Sequence, residues 1–366
     1  MRDLRSVLFT AFLVLMLASC GRPPDLIGVD NPEIPVAAVP DVTRHRIFVT
    51  TTREASDQVG ALYATTRSSD LGLASVVVSV PPTHVTGELA RPTRLPPDPR
   101  TEFAVVDPTV FRTQDAFVAE VNRELAKRAP GERSVLVFIH GYNTSTSDAV
   151  LRLGQFVQDS GFPGVPILFT WASAAQVPRY VYDLNSALIA RVYMKEIAQL
   201  LARTRAERLD LLAHSMGAFL TMEGLVDAQL AGNLEKARRL DYVILASPDI
   251  DVDLFRTQIG LLPQRVVDNI FILTSENDGA LRVSRRLAGG VPRVGAADGA
   301  VLEELGVTVI DLSEVEDSAS GSHSKFAGSP EVVQLIGAAI NRGGSLETEV
   351  PVVEQILQNS PIRIFN

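Results

Sequence analysis

Cysteine is almost absent: the 366-residue chain holds one, Cys20, so no disulfide can form within it and no thiolate cluster can hold a metal. Histidine is nearly as scarce, with five residues (His45, His84, His140, His214, His323), which leaves few bases for any chemistry that needs one. There is no H-E-x-x-H, no G-x-x-x-x-G-K-[ST] and no G-x-G-x-x-G, so neither a metal nor a nucleotide cofactor is implied. Cations are in the minority, 34 Lys and Arg against 43 Asp and Glu. An acidic body repels phosphate backbones, so nucleic acid is not an expected partner. The apolar stretch nearest the N-terminus, from Val7 to Leu17, is too short for the ~20 residues of a membrane-spanning helix.

That stretch has another layout. Arg2 and Arg5 precede it, and the small residues Ala18 and Ser19 follow, just before Cys20. This is the order of an export signal. Leu17-Ala18-Ser19-Cys20 resembles the lipobox of bacterial lipoproteins, which implies a diacylglyceryl group on Cys20 as the mature N-terminus; an ordinary cleaved signal with an incidental cysteine is the alternative. Gly21, where aspartate tends to mark inner-membrane retention, points to the outer membrane facing the periplasm. Residues 1–19 are thus expected to be a signal peptide, 20–44 a lipidated cysteine with a Pro-rich tether, 45–341 the folded domain, and 342–366 a tail of unread role. Membrane attachment would come from acyl chains and not from a basic face.

Within the domain, Arg46 to Thr52 and Ala74 to Val80 are β-rich, the second ended by Pro81 and Pro82, and the proline-heavy stretch to Pro108 reads as irregular surface. Phe117, Val121 and Leu125 mark a helix between Phe111 and Arg128. Short β-branched runs then recur: 134–139, 165–170, 209–213, 242–246, 269–273 and 307–311. They alternate with helical stretches at 148–159, 185–204, 216–231, 252–259, 280–287 and 330–341. Such alternation predicts a single α/β domain with a doubly wound, mostly parallel sheet flanked by helices, with chemistry in the loops leaving the strands' C-terminal ends.

Ala213-His214-Ser215-Met216-Gly217 falls between a buried strand and a helix, leaving a turn of almost no length. That is the context of a nucleophile elbow, where small residues two places either side of the serine let strand and helix converge. Ser215 is the candidate nucleophile. Its base must come from the histidines, and His323 alone follows Ser215 far enough for the order Ser, acid, His; His45 and His84 read as surface residues, His140 as ordering its loop, and His214 as pointing away from the turn. The acid is Asp278, after the penultimate strand, with Asp251 and Asp249 as rivals whose other use would be helix capping. Backbone N–H groups of Met216 and of Tyr142, in His140-Gly141-Tyr142-Asn143, are candidates for the oxyanion hole. Trp171 could form a substrate wall or serve as a packing anchor.

With Thr51-Thr52-Arg53, Val78-Ser79-Val80-Pro81-Pro82, Gly87, Phe138 to Asn143, Trp171, Tyr182-Asp183, Ala213 to Gly217, Pro248 to Asp251, Ser275 to Leu281 and His323-Ser324 in hand, the chain resembles a bacterial family of α/β-hydrolases of unknown function, often described as esterase/lipase-like. The resemblance implies an α/β-hydrolase fold with Ser215, Asp278 and His323 as triad, and names no substrate. No segment is long enough for a large cap domain, so an open site acting on a small ester, thioester or membrane-presented acyl group is expected. The rival expectation is a lipid-anchored envelope protein that keeps the scaffold for binding without turnover.

Overall fold

The chain was analysed as a computed structural model, which describes residues 22–316, 322–342, 358 and 360–365. The expected signal peptide and Cys20 lie outside the described residues. Ten strands form one sheet: β1 (Thr43–Ala55), β2 (Tyr63–Val80), β3 (Ala104–Val110), β4 (Ser134–Ile139), β5 (Val165–Thr170), β6 (Arg208–His214), β7 (Leu240–Ala246), β8 (Ile270–Thr274), β9 (Thr308–Asp311) and β10 (Arg363–Phe365). Their spatial order is β10-β9-β8-β7-β6-β4-β5-β1-β2-β3. From β9 across to β1 the neighbours are parallel, while β2, β3 and β10 pair antiparallel at the two margins. This mixed, mostly parallel sheet with helices on both faces is the architecture of an α/β-hydrolase.

Alternation along the strands builds two cores. Val135, Val137 and Ile139 of β4 face one cluster with Phe117, Leu200, Leu220 and Phe255, and Leu136 and Phe138 face the other with Leu153, Phe156 and Ile336. Strands β4, β5 and β8 are buried along their whole length, as continuous apolar runs between two helical layers must be. Helix Thr146–Ser160 shows how sharply an end can be written in sequence. Ser145 and Asp148 form a capping box at its start, and Gly161 takes the left-handed conformation at its close (φ 62°).

Three expectations need correction. The stretch after Pro82 is not all irregular, because Ala104-Val105-Val106 pairs with β2 as β3, and Pro108 is tolerated on this edge strand. The long helix at 185–204 is two helices, Tyr180–Arg191 and Met194–Ala202, interrupted at Val192 and Tyr193. The segment read as a tether is docked from Arg22 onward: Leu26 is fully buried, Ile27 N–H donates to Gly60 O (2.8 Å) and Gly28 N–H to Val105 O (2.7 Å). Its prolines hid these few apolar anchors, which suffice because the restricted chain has less entropy to lose. In the tail, Arg363–Phe365 extends the sheet against β9.

Candidate active site

Strand β6 delivers the chain to Ser215 at the C-terminal edge of the sheet, and helix Met216–Leu230 begins on the next residue. Ser215 takes φ 54°, ψ −121°, a conformation that L-residues rarely adopt and that stores strain at the turn. Its N–H donates to Ala246 O of β7 (2.9 Å), so the neighbouring strand holds the turn in place. Close approach dictates the glycines around it. A methyl group on Gly217 would lie 2.4 Å from both Ile139 O and His140 O, and one on Gly141 would lie 2.8 Å from Ser215 Cβ.

His323 leaves the segment after β9, and its Nδ1 lies 2.7 Å from Asp278 Oδ2. Asp278 is wholly buried and also caps helix Gly279–Leu287, its Oδ1 accepting Leu281 N–H (3.0 Å). A carboxylate there requires Nδ1–H as donor, which leaves Nε2 to accept a proton. The backbone of His323 is tied to the elbow: its carbonyl sits 2.8 Å from His214 Nε2, and the two imidazole rings are 4.7 Å apart. His214 therefore supports the loop that carries His323. Burial and the neighbouring His323 hold its pKa well below the ordinary value, so it stays neutral and donates that hydrogen bond. Ser215 Oγ and His323 Nε2 each make no hydrogen bond to a described residue.

The rival carboxylates have other partners. Asp251 caps helix Val252–Leu261 through the N–H groups of Asp253 and Leu254. Asp249 accepts from Tyr180 Oη (2.9 Å) and Ser284 Oγ (2.5 Å), with Arg293 Nε at 3.3 Å. Burial, followed by the charge of Asp249, pushes the Tyr180 hydroxyl up to about 12.

Two backbone amides beside the elbow make no hydrogen bond to a described residue. Met216 N–H lies at a helix N-terminus, and Tyr142 N–H has no acceptor among the described residues. The Tyr142 ring packs edge-on to Tyr180 at 5.4 Å, and its hydroxyl donates to Val177 O. Trp171 cannot be a substrate wall, because it is fully buried, stacked on His140 at 5.1 Å, with Nε1–H donating to His140 O (2.8 Å). It is a packing anchor behind the loop. Nor are two other histidines plain surface residues: His84 Nε2 bonds the Asp159 side chain, and His45 bonds Gln158 (2.7 Å) at a half-buried position.

Sequence reasoning missed Lys325. Its side chain is buried (2% exposed), and Nζ donates to Leu312 O (2.6 Å), Ser275 Oγ (3.1 Å), Ser313 O (3.3 Å) and Asn277 Oδ1 (3.4 Å). It joins the exit of β9 to the loop bearing Asp278, two residues after His323. Nothing in the local sequence distinguishes it from a surface lysine, since its partners come from two distant loops. Among the described residues there is no cluster of His, Cys, Asp and Glu able to hold a metal.

The profile of a family described as alpha/beta hydrolase of unknown function (DUF900) matches residues 113–339. No curated protein sequence matches the chain. Similar solved structures include a Rhizomucor miehei esterase (13% identity, 82% of this chain and 83% of that one, TM-score 0.36). Carboxyl esterase 2 of Tuber melanosporum is another (10% identity, 91% and 98%, TM-score 0.38), as is an esterase of the archaeon Pyrobaculum calidifontis (16% identity, 57% and 76%, TM-score 0.33).

Proposed function

The chain belongs to this family of α/β-hydrolases, and on that premise we propose that it is a serine hydrolase cleaving a carboxylic ester or thioester through an acyl-serine intermediate. The observation that carries the proposal is the Asp278–His323 pair at 2.7 Å on a loop bonded to His214, the residue beside a serine at φ 54°. In this mechanism His323 Nε2 takes the Ser215 proton as Oγ attacks the acyl carbon. Asp278 fixes the ring and stabilises the imidazolium, and the N–H groups of Met216 and Tyr142 receive the oxyanion. The imidazolium then protonates the departing alcohol or thiol. Water, activated by His323, releases the acid and restores Ser215. The Ser215–His323 hydrogen bond forms as substrate enters, because catalytic contacts often tighten only in the Michaelis complex.

The substrate is proposed to be a small or membrane-presented acyl compound. The body of the enzyme, residues 45–341 with 22–44 docked on it, would be held at the outer membrane by lipid on Cys20. No helix among the described residues is long and apolar enough to cross a membrane.

Labelling with a fluorophosphonate tests the assignment: an adduct on the wild-type protein that disappears in Ser215→Ala is expected. An unlabelled wild type would leave the scaffold as a lipid-anchored binding protein. An adduct that survives the substitution would place the nucleophile elsewhere.

A further inference from the structure

The carbonyls of Gly141, Tyr142 and Thr144 are each held by a hydrogen bond, and a trans peptide points its N–H the opposite way. Gly141 O faces the Nδ1 of His140 (2.8 Å). Tyr142 N–H, on the same peptide, is thereby turned away from the His140 ring. Tyr142 O accepts from Thr144 Oγ1 (3.1 Å), and the N–H across that peptide, of Asn143, donates to Asp183 Oδ2 (3.1 Å). Thr144 O accepts from the Arg53 guanidinium (2.7 Å), and Ser145 N–H across from it donates to Asp148 Oδ2 (3.2 Å). Thr144 N–H is held by Ser173 Oγ (3.1 Å), itself bonded to Asp183 (2.5 Å).

Two buried charges terminate this lattice. Arg53 is 1% exposed and also donates to Thr170 Oγ1 (2.9 Å), Ser173 O (3.0 Å) and Ala64 O (3.1 Å). Gly141 O can only accept, so His140 donates from Nδ1, and in the neutral ring Nε2 then accepts a hydrogen bond from Thr170 Oγ1 (2.9 Å). Burial and the charge of Arg53 agree, holding His140 down to about 3. Asp183 is fully buried on helix Tyr180–Arg191 and takes a further bond from Ala174 N–H (2.6 Å). Neither residue touches the reacting atoms.

We propose that Arg53 and Asp183 are positioning residues that hold the 140–145 loop, Arg53 through Thr144 O and Asp183 through Asn143 N–H, and so aim Tyr142 N–H at the oxyanion. The inference rests on the oxyanion assignment above. A removed donor of this kind costs about 10²- to 10³-fold in rate, so a misaimed one costs less.

The test compares full-length wild type with Asp183→Asn and Arg53→Lys on a short p-nitrophenyl ester. In both variants kcat falls about 10- to 100-fold while KM stays within about threefold, because the contact is made only in the transition state. The inhibition constant of an aryl trifluoromethyl ketone, whose adduct carries the oxyanion, rises by the same factor as kcat falls. Amide hydrogen exchange at Asn143 accelerates in Asp183→Asn. Unchanged kcat in a folded variant, or lost kcat with unaltered affinity for the ketone, would overturn the proposal. If Asp183→Asn fails to fold, Ser173→Ala removes only the hydroxyl between Asp183 and Thr144, and the same two constants decide. Absence of a fluorophosphonate adduct on wild type would defeat the hydrolase assignment instead, and exchange at Asn143 would still report whether Asp183 holds the loop.

Discussion

Asp278 and Asp251 both cap helices at the same edge of the sheet, and the difference between them is one oxygen. Asp251 spends its bonds on the N–H groups of its helix, whereas Asp278 gives Oδ1 to the cap and Oδ2 to His323. Substituting Asn at 278 keeps a capping atom but puts an amide against the imidazole, which stabilises the wrong tautomer. Asp278→Asn is expected to lose about 10³- to 10⁴-fold in kcat on a p-nitrophenyl ester. Asp251→Asn should retain activity, since Asn caps as well as Asp. Activity lost in the second variant and kept in the first would reverse the assignment. Chain order pointed to His323, because only a distant histidine can follow Ser215 in this fold, and the place after the penultimate strand favoured Asp278 while leaving Asp251 and Asp249 open. It could not find Lys325, whose four acceptors lie 12 to 50 residues away.

Among the elements, β6 leads into the proposed nucleophile, Ser215, and carries a liability in its middle. Asp210 is fully buried, with Oδ1 accepting Tyr242 N–H (3.2 Å) and Oδ2 without a partner. Burial raises its pKa to about 7. The folded chain therefore keeps a proton that the unfolded chain, at the ordinary ~3.9, releases. The stability this carboxyl preserves is complete below about pH 4 and is lost as pH rises through about 7. Asp210→Asn, neutral throughout, should gain on the order of 2–4 kcal/mol over wild type at pH 8.5 and little at pH 4, as measured by urea unfolding. An equal difference at both pH values would show that ionisation of Asp210 plays no part. Strand boundaries at 134–139 and 165–170 were legible because continuous apolar β-branched runs have few other places to go. By contrast β3 was not, since Asp107 and Pro108 end a short apolar run, Phe103 to Val106, that counts only once β2 lies beside it.

At the scale of the whole molecule, the chain carries a formal charge of −9, which gives anionic headgroups no general reason to hold it. Retention at a membrane would then depend on acyl chains at Cys20, and a diacylglyceryl group supplies enough buried methylenes for a stable anchor. Cys20→Ser is expected to move the protein from the membrane pellet to the soluble fraction of fractionated cells. Persistence in the pellet would refute the lipid anchor and leave the fold and the site untouched. With Leu26 buried and the segment from Arg22 bonded to Gly60 and Val105, a lipid on Cys20 would leave far less free length than a tether reaching to residue 44.

By itself the sequence determined the α/β alternation and the tight strand-to-helix turn at Ser215, and it proposed one histidine and a few carboxylates to serve that serine. These are local or ordinal properties, set by periodicity, by the need for small residues where backbones converge, and by chain order. Only the tertiary structure decided which carboxylate meets His323, that Trp171 is interior, that His214 supports the His323 loop, and that Arg53 and Asp183 hold the loop of Tyr142. Those facts depend on hydrogen-bond directions between segments more than a hundred residues apart in some cases, as from Arg53 to Thr170 and Ser173. A polar side chain looks alike in sequence whether it faces water or a buried peptide, and its partners exist only after the sheet has closed around it.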